Sequence, residues 1–235
     1  MIRIKPLNLL DSLDNIGDGN RLRINTINAH SYNIARKDKL FSESLLCSEY
    51  LIPDGQSVVW AKNFLNGEKL KRIAGADLFS WEMKRVNAIG GKCFFLGSTE
   101  STLSKIISKA QIEYPNIVIE TFSPPYKPEF SDEENQEMIS KVNQFKPDVL
   151  FVGMTAPKQE KWVHTNVNDI EAKHICSIGA VFDFYAGNIK RAPQSWQDLG
   201  LEWLYRLIKE PKRMWRRYVL GNVQFIFYVF KEKII

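Results

Sequence analysis

Asp54 is the side chain whose setting most invites chemistry. It lies in Pro53-Asp54-Gly55, at the end of a short apolar run and just ahead of a helical stretch from Ser57 to Leu65. Pro-Asp-Gly by itself is an ordinary turn. At a strand end, with a helix N-terminus to favour its ionised form, the same carboxylate can act as a general base toward a hydroxyl. Gln159 follows Pro157-Lys158 at the head of another helical stretch, where its amide can point into the same crevice. Thr26 and Asn28 flank the start of a third helix and would serve equally as caps. Arg72, just before Ala74-Gly75-Ala76-Asp77, reads by itself as an ordinary surface cation.

Other chemistries are disfavoured. There is no G-x-G-x-x-G after a strand and no G-x-x-x-x-G-K-[ST], which argues against a dinucleotide enzyme or a P-loop ATPase. No two aspartates are separated by one residue, so a D-x-D metal clamp on a diphosphate is missing. His30, His164 and His174 have no ligand spacing with a Cys or carboxylate cluster. Neither a metal nor a cofactor is expected.

These residues need a scaffold that gathers strand ends. Six β-type runs, Arg21 to Ile27, Glu49 to Ile52, Cys93 to Leu96, Ile117 to Phe122, Val149 to Val152 and Ile175 to Ile178, alternate with helical patterns near Ala29 to Leu46, Ser57 to Leu65, Leu78 to Ala88, Ser101 to Tyr114, Asp132 to Gln144 and Lys158 to Asn166. Such alternation predicts an α/β, Rossmann-like fold, a mostly parallel sheet with helices on both faces, which binds ligands beyond the carboxyl ends of its strands. Residues 1–20 read as a loosely held lead-in, 21–190 as the α/β core, and 191–235 as a C-terminal helical appendage reached through a hinge at Ala186 to Pro193.

The chain has 235 residues, 44% apolar, enough for a full core. Its net charge of +5 is unevenly placed: residues 186–235 hold 10 Lys+Arg against 4 Asp+Glu, while residues 1–185 are net −1. A nucleic-acid binder would need a basic face on the body as well, so no nucleic-acid partner is expected. In the tail the cations are interleaved with Trp203, Tyr205, Trp215, Tyr218, Phe225 and Phe227, the mixture that an interfacial helix on an anionic membrane surface uses. The apolar run Tyr218 to Phe230 would reach about 20 Å as a helix, too short to span a bilayer core of roughly 30 Å. Three scattered cysteines and an N-terminus without an apolar leader core suggest a cytoplasmic protein, peripheral on the inner face of the cell membrane.

The ordered blocks Thr26-Ile27-Asn28-Ala29, Pro53-Asp54-Gly55-Gln56-Ser57-Val58-Val59, Arg72-Ile73-Ala74-Gly75-Ala76-Asp77-Leu78, Phe95-Leu96-Gly97, Pro157-Lys158-Gln159-Glu160, Gly187-Asn188-Ile189-Lys190-Arg191-Ala192-Pro193 and Glu202-Trp203-Leu204-Tyr205-Arg206 resemble the WecG/TagA/CpsF family of bacterial glycosyltransferases over about four-fifths of the chain. The resemblance implies inverting transfer of a hexose from a UDP-sugar to an undecaprenyl-diphosphate-linked sugar, in teichoic acid or other cell-surface polysaccharide synthesis. N-acetylmannosamine is the favoured donor sugar, with UDP-glucose or a UDP-uronic acid as alternatives; a non-catalytic membrane-surface protein is the remote one. It further implies Asp54 as the base, Thr26, Asn28, Arg72 and Gln159 around the donor sugar and acceptor hydroxyl, and Arg206, Arg213 and Arg216 closing over the diphosphate in place of a metal. Arg206 and Arg213 are seven apart and so share a helical face, with Arg216 three further on, provided that Pro211 does not break the register. Homo-oligomerisation is left open.

Overall fold

A computed structural model describes residues 2–234, apart from the side chains of Asp198 and Arg213. Six strands alternate with helices in chain order: β1 (Leu22–Ile27), α1 (Ala29–Ala35), α2 (Lys39–Leu46), β2 (Tyr50–Pro53), α3 (Gln56–Asn66), α4 (Gly75–Ile89), β3 (Lys92–Gly97), α5 (Glu100–Glu113), β4 (Val118–Phe122), α6 (Asp132–Phe145), β5 (Val149–Gly153), α7 (Lys158–Asn166), β6 (His174–Ser177) and α8 (Val181–Tyr185). Every strand pairing is parallel, in the order β2-β1-β6-β5-β3-β4. All carboxyl ends therefore lie along one edge, as the α/β reading requires.

Alternation along the strands sorts side chains to the two faces. Cys93, Phe95, Val149 and Phe151 face a core closed by α4, α5 and α8, while Phe94, Leu96, Leu150 and Val152 face α6 and α7. The rings of Phe95 and Phe151 stack with centroids 5.3 Å apart, and Phe182 meets Phe95 edge-on at 5.5 Å. The β1–β2 side has a core of its own, in which Ile27 and Leu51 pack with Tyr32, Phe41 and Val58 from α1, α2 and α3.

The single helix expected from Ala29 to Leu46 is two. α1 ends at Ala35, and Asp38 opens α2 by accepting from the Phe41 N–H at 3.0 Å. An N-cap side chain inside an amphipathic run competes with helix continuation.

The lead-in is also firmer than its sequence suggests. Ile2, Ile4, Leu7 and Leu9 are buried in the β1–β2 core, and Lys62 donates to the carbonyls of Lys5 (3.1 Å) and Leu7 (2.8 Å). Alternating apolar residues over so short a segment form no helix or ladder of their own, so nothing local announces their partner.

The C-terminal region is helical: α9 (Gln194–Asp198), α10 (Glu202–Lys209), α11 (Pro211–Trp215), a wide π-type turn over Arg216–Leu220, and α12 (Gly221–Ile234). α12 lies against α1, placing Phe225 and Val229 in the same core as the N-terminal residues. Among the described residues no helix is long and apolar enough to cross a membrane.

Candidate active site

A cleft of about 1270 Å³ opens at the carboxyl edge of the sheet. Its floor comes from the residues that end β1, β2, β5 and β6, and one side from the C-terminal helices. Thr26, Asn28, Asp54, Arg72, Gln159 and Arg206 all line it.

Asp54 is held at the junction of two strands. Its N–H is shared between the carbonyls of Ile27 and Ile52, each at 3.0 Å, so its main chain is fixed relative to both β1 and β2. Gly55 allows the turn to press on Asn28: a Cβ there would stand 3.0 Å from the Asn28 Cβ. Asn28 in turn caps α1, accepting from the His30 and Ser31 N–H groups at 3.1 Å, which leaves its Nδ2 without a partner among the described residues. Asn28 is thus the cap of α1 and at the same time part of the cleft lining.

The carboxylate's helix contact is with α4, not with α3 as its sequence position suggests. Its Oδ1 accepts from the Gly75 N–H at 3.3 Å. The net effect of its surroundings is opposite to the expected stabilisation of charge: desolvation first, then the nearby Glu202 carboxylate, raise the Asp54 pKa from the ordinary 3.8 to about 6, against the pull of Arg72, Gly75 and Arg191. A base with that pKa is still ionised at neutral pH and accepts a proton better than an ordinary aspartate.

Glu202 is the residue that sequence reasoning passed over. It arrives on α10, and its carboxylate joins Arg72 (3.2 Å) to Arg191 (3.4 Å), with Asp77 at 3.9 Å from Arg191. Arg191 and Glu202 both stand in the motif blocks quoted above; their pairing across the cleft, and the closeness of Arg72 and Glu202 to Asp54, needed the fold. A reaction that uses Asp54 as its proton acceptor should lose kcat/KM below about pH 6 instead of about pH 4. Glu202→Gln removes a charge that raises the Asp54 pKa and should move that acid limb to lower pH. A limb that does not move would belong to another group, for which Glu160 is the candidate.

Gln159 is buried. Its Nε2 donates to Glu160 Oε1 at 2.9 Å, and its own Oε1 has no hydrogen-bond partner among the described residues. Gly179, at φ +41°, leaves room for that carboxamide, since a Cβ there would lie 3.2 Å from Oε1. A buried unpaired amide oxygen in a cleft wall is suited to receive a ligand hydroxyl. Burial pushes the Glu160 carboxyl up to about 7, with the Gln159 amide opposing it.

The three expected arginines are placed differently. Arg206 lines the cleft, its guanidinium 5.6 Å from the centroid of the Phe184 ring. Arg216 is exposed and outside the cleft, over the Trp215 ring at 5.5 Å, and the cleft is lined instead by Arg217. The side chain of Arg213 lies outside the described residues. The helical register that would align them does not hold. α10 stops at Lys209, Pro211 starts a new helix, and the wide turn at Arg216–Leu220 advances the face again. Arg217 is near enough to His30 to add to the desolvation that lowers the His30 pKa to about 4, so this imidazole is neutral in the working range.

The cleft thus combines the Asp54 carboxylate, its neighbour Glu202 and several guanidinium groups, a set with the chemistry to accept a proton and to hold an anionic group. The model of the WecG/TagA/CpsF family of glycosyl transferases matches residues 2–235. The chain belongs to that family. It is 33% identical over 212 residues to the N-acetylglucosaminyldiphosphoundecaprenol N-acetyl-beta-D-mannosaminyltransferase of Bacillus subtilis (strain 168), covering 89% of this chain and 79% of that one. To enzymes of the same name from Staphylococcus aureus strains MW2 and MRSA252 it is 32% and 33% identical over 197 residues, 84% of this chain and 76% of each of theirs. This WecG/TagA/CpsF chain is thus a glycosyltransferase, and its cleft lies at the strand carboxyl ends, where open α/β sheets bind their ligands.

Proposed function

We propose that this glycosyltransferase moves an N-acetylmannosamine-type hexose from a UDP-sugar to the sugar of an undecaprenyl-diphosphate-linked acceptor, with inversion at the anomeric carbon, in cell-surface polysaccharide or teichoic acid synthesis. The observation that carries this reading is the carboxylate of Asp54, a residue whose main chain is fixed at the β1–β2 junction, in a cleft that also holds Arg72, Arg191, Arg206 and Arg217. The names of the relatives supply the sugar and the acceptor.

In this mechanism the acceptor hydroxyl gives its proton to Asp54 as its oxygen attacks the anomeric carbon. The bond from that carbon to the diphosphate oxygen breaks on the opposite face, and UDP departs. The cost of separating that charge falls on guanidinium groups, which hold phosphate oxygens in pairs and lose little by doing so in a partly desolvated cleft. Thr26, Asn28 and Gln159 orient the sugar hydroxyls. Arg206 and Arg217 are the cations on the C-terminal side that can meet the diphosphate. The exposed apolar residues Trp215, Val219, Leu220 and Phe227, beside the exposed cations Lys212 and Arg216, suit a peripheral position on the anionic inner leaflet.

Incubation with a panel of UDP-hexoses and a soluble N-acetylglucosaminyl-diphosphate ester, with UDP release and product mass as readouts, tests the reading. Transfer from UDP-N-acetylmannosamine is expected, and no UDP release with any donor would overturn the proposal. Turnover should be unchanged in EDTA. Loss that Mn²⁺ or Mg²⁺ restores would show that a metal, and not arginine, stabilises the leaving group.

A further inference from the structure

The cleft does not end at its polar residues. Its outer wall is built from Trp60, Ala61 and Phe64 on α3 and Ile226, Val229 and Phe230 on α12. Ala61 and Val229 form the buried base, while Trp60, Phe64, Ile226 and Phe230 remain 62%, 44%, 52% and 55% exposed. Each exposed pair is spaced i,i+4, so each helix presents two stacked apolar side chains. The two rows are joined at one end, where the Phe64 and Phe230 rings meet at 5.4 Å and Lys233 donates to the Phe64 carbonyl at 2.9 Å. Four large apolar side chains left open along one groove are more than packing of the body needs, since α12 is already anchored through Phe225 and Val229.

We infer that this groove binds the first isoprenyl units of the acceptor's lipid chain, so that the protein itself, and not only the membrane, recognises the tail. The inference rests on the proposed lipid-linked acceptor. Its basis is continuity: the groove and Asp54 belong to one cleft, and α3 begins two residues after the base. From the first turn of α3 to Phe64 the helix rises roughly 12 Å. A sugar whose hydroxyl is at Asp54 and whose diphosphate extends past the arginines reaches this wall with its first apolar carbons. None of the six residues that build this wall is charged, Lys233 standing only at its closed end, and a prenyl chain asks for no charge.

The test uses the full-length protein without membrane or detergent and compares N-acetylglucosaminyl-diphosphate esters of methanol, geraniol and farnesol, each below its micelle threshold. In the wild type kcat/KM should rise roughly tenfold or more from the methyl to the farnesyl ester as CH₂ groups become buried. In Trp60→Ser/Phe64→Ser and Ile226→Ser/Phe230→Ser, each measured against its own methyl-ester value, the farnesyl advantage should shrink toward one. Farnesyl diphosphate should also shift the tryptophan fluorescence saturably, by a change that is lost in Trp60→Phe, whereas inorganic diphosphate should not. Equal kcat/KM for the three wild-type esters would overturn the inference, as would a farnesyl advantage that survives both double substitutions. Either result would leave the exposed residues to contact with the bilayer or with a second copy of the chain. If no ester is glycosylated, the proposed reaction fails on its own account, and the fluorescence titration decides whether the groove takes a prenyl chain.

Discussion

Asp54→Asn is expected to lower transfer by 10²- to 10⁴-fold and, at the same time, to make the protein more stable at neutral pH. The first effect follows from loss of the proton acceptor in a side chain of unchanged shape, so UDP binding should persist. The second follows from the direction of the pKa shift. The folded-state value of about 6 lies above the ordinary 3.8, so the ionised carboxylate costs stability throughout the range above pH 6, and the cost fades as pH falls toward 3.8. The gain on removing it at pH 7.5 is on the order of 3 kcal/mol, and it should fall below about 1 kcal/mol near pH 4. Urea unfolding of both proteins across this range measures it. A variant retaining more than about half of wild-type turnover would remove Asp54 as the base. One that is less stable than wild type at pH 7.5 would show that the carboxylate is not held at a cost.

Glu232→Ala should produce the largest loss of stability, about 3–5 kcal/mol, because it leaves several buried partners uncompensated. The Glu232 carboxylate accepts from the Ile4 N–H at 2.9 Å, the Lys5 N–H at 3.1 Å and the Tyr32 hydroxyl, with Arg36 at 3.8 Å. It thereby fastens α12 to the N-terminal segment and to α1, whose Tyr32 ring also meets Phe225 edge-on at 5.3 Å. Glu232→Gln keeps one acceptor oxygen and should lose less. Hydrogen exchange at the Ile4 and Lys5 amides is expected to rise by a matching factor in the Ala variant. A loss under about 1 kcal/mol would mean that water replaces the carboxylate and that the apolar contacts alone hold α12.

Both predictions concern side chains that the chain order separates widely, and they mark where reading residues in order stops being enough. The alternation of short Val/Ile/Phe runs with amphipathic stretches was sufficient to specify a parallel sheet, because periodicity of 2 or 3.6 is a local property and strand ends are punctuated by Gly, Pro and Asp. It also sufficed to put Thr26, Asn28, Asp54 and Gln159 at strand ends or first helical turns, hence at one edge of that sheet. The internal break at Asp38 was readable in principle as a cap; its signal was outweighed by the apolar pattern running through it.

The tertiary structure alone decided the electrostatics of the Asp54 carboxylate and the identity of the cations around it. Desolvation and the Glu202 carboxylate, 148 positions beyond Asp54 in the chain, set its proton affinity, and no local rule carries that distance. Arg217 enters the cleft where Arg216 was expected because helical phase accumulates, and a break at Pro211 followed by a wide turn resets it twice. The N-terminal segment is ordered for a related reason. Its apolar residues have no periodic partner nearby and acquire one only when α12 and α3 arrive from elsewhere in the chain to bury them.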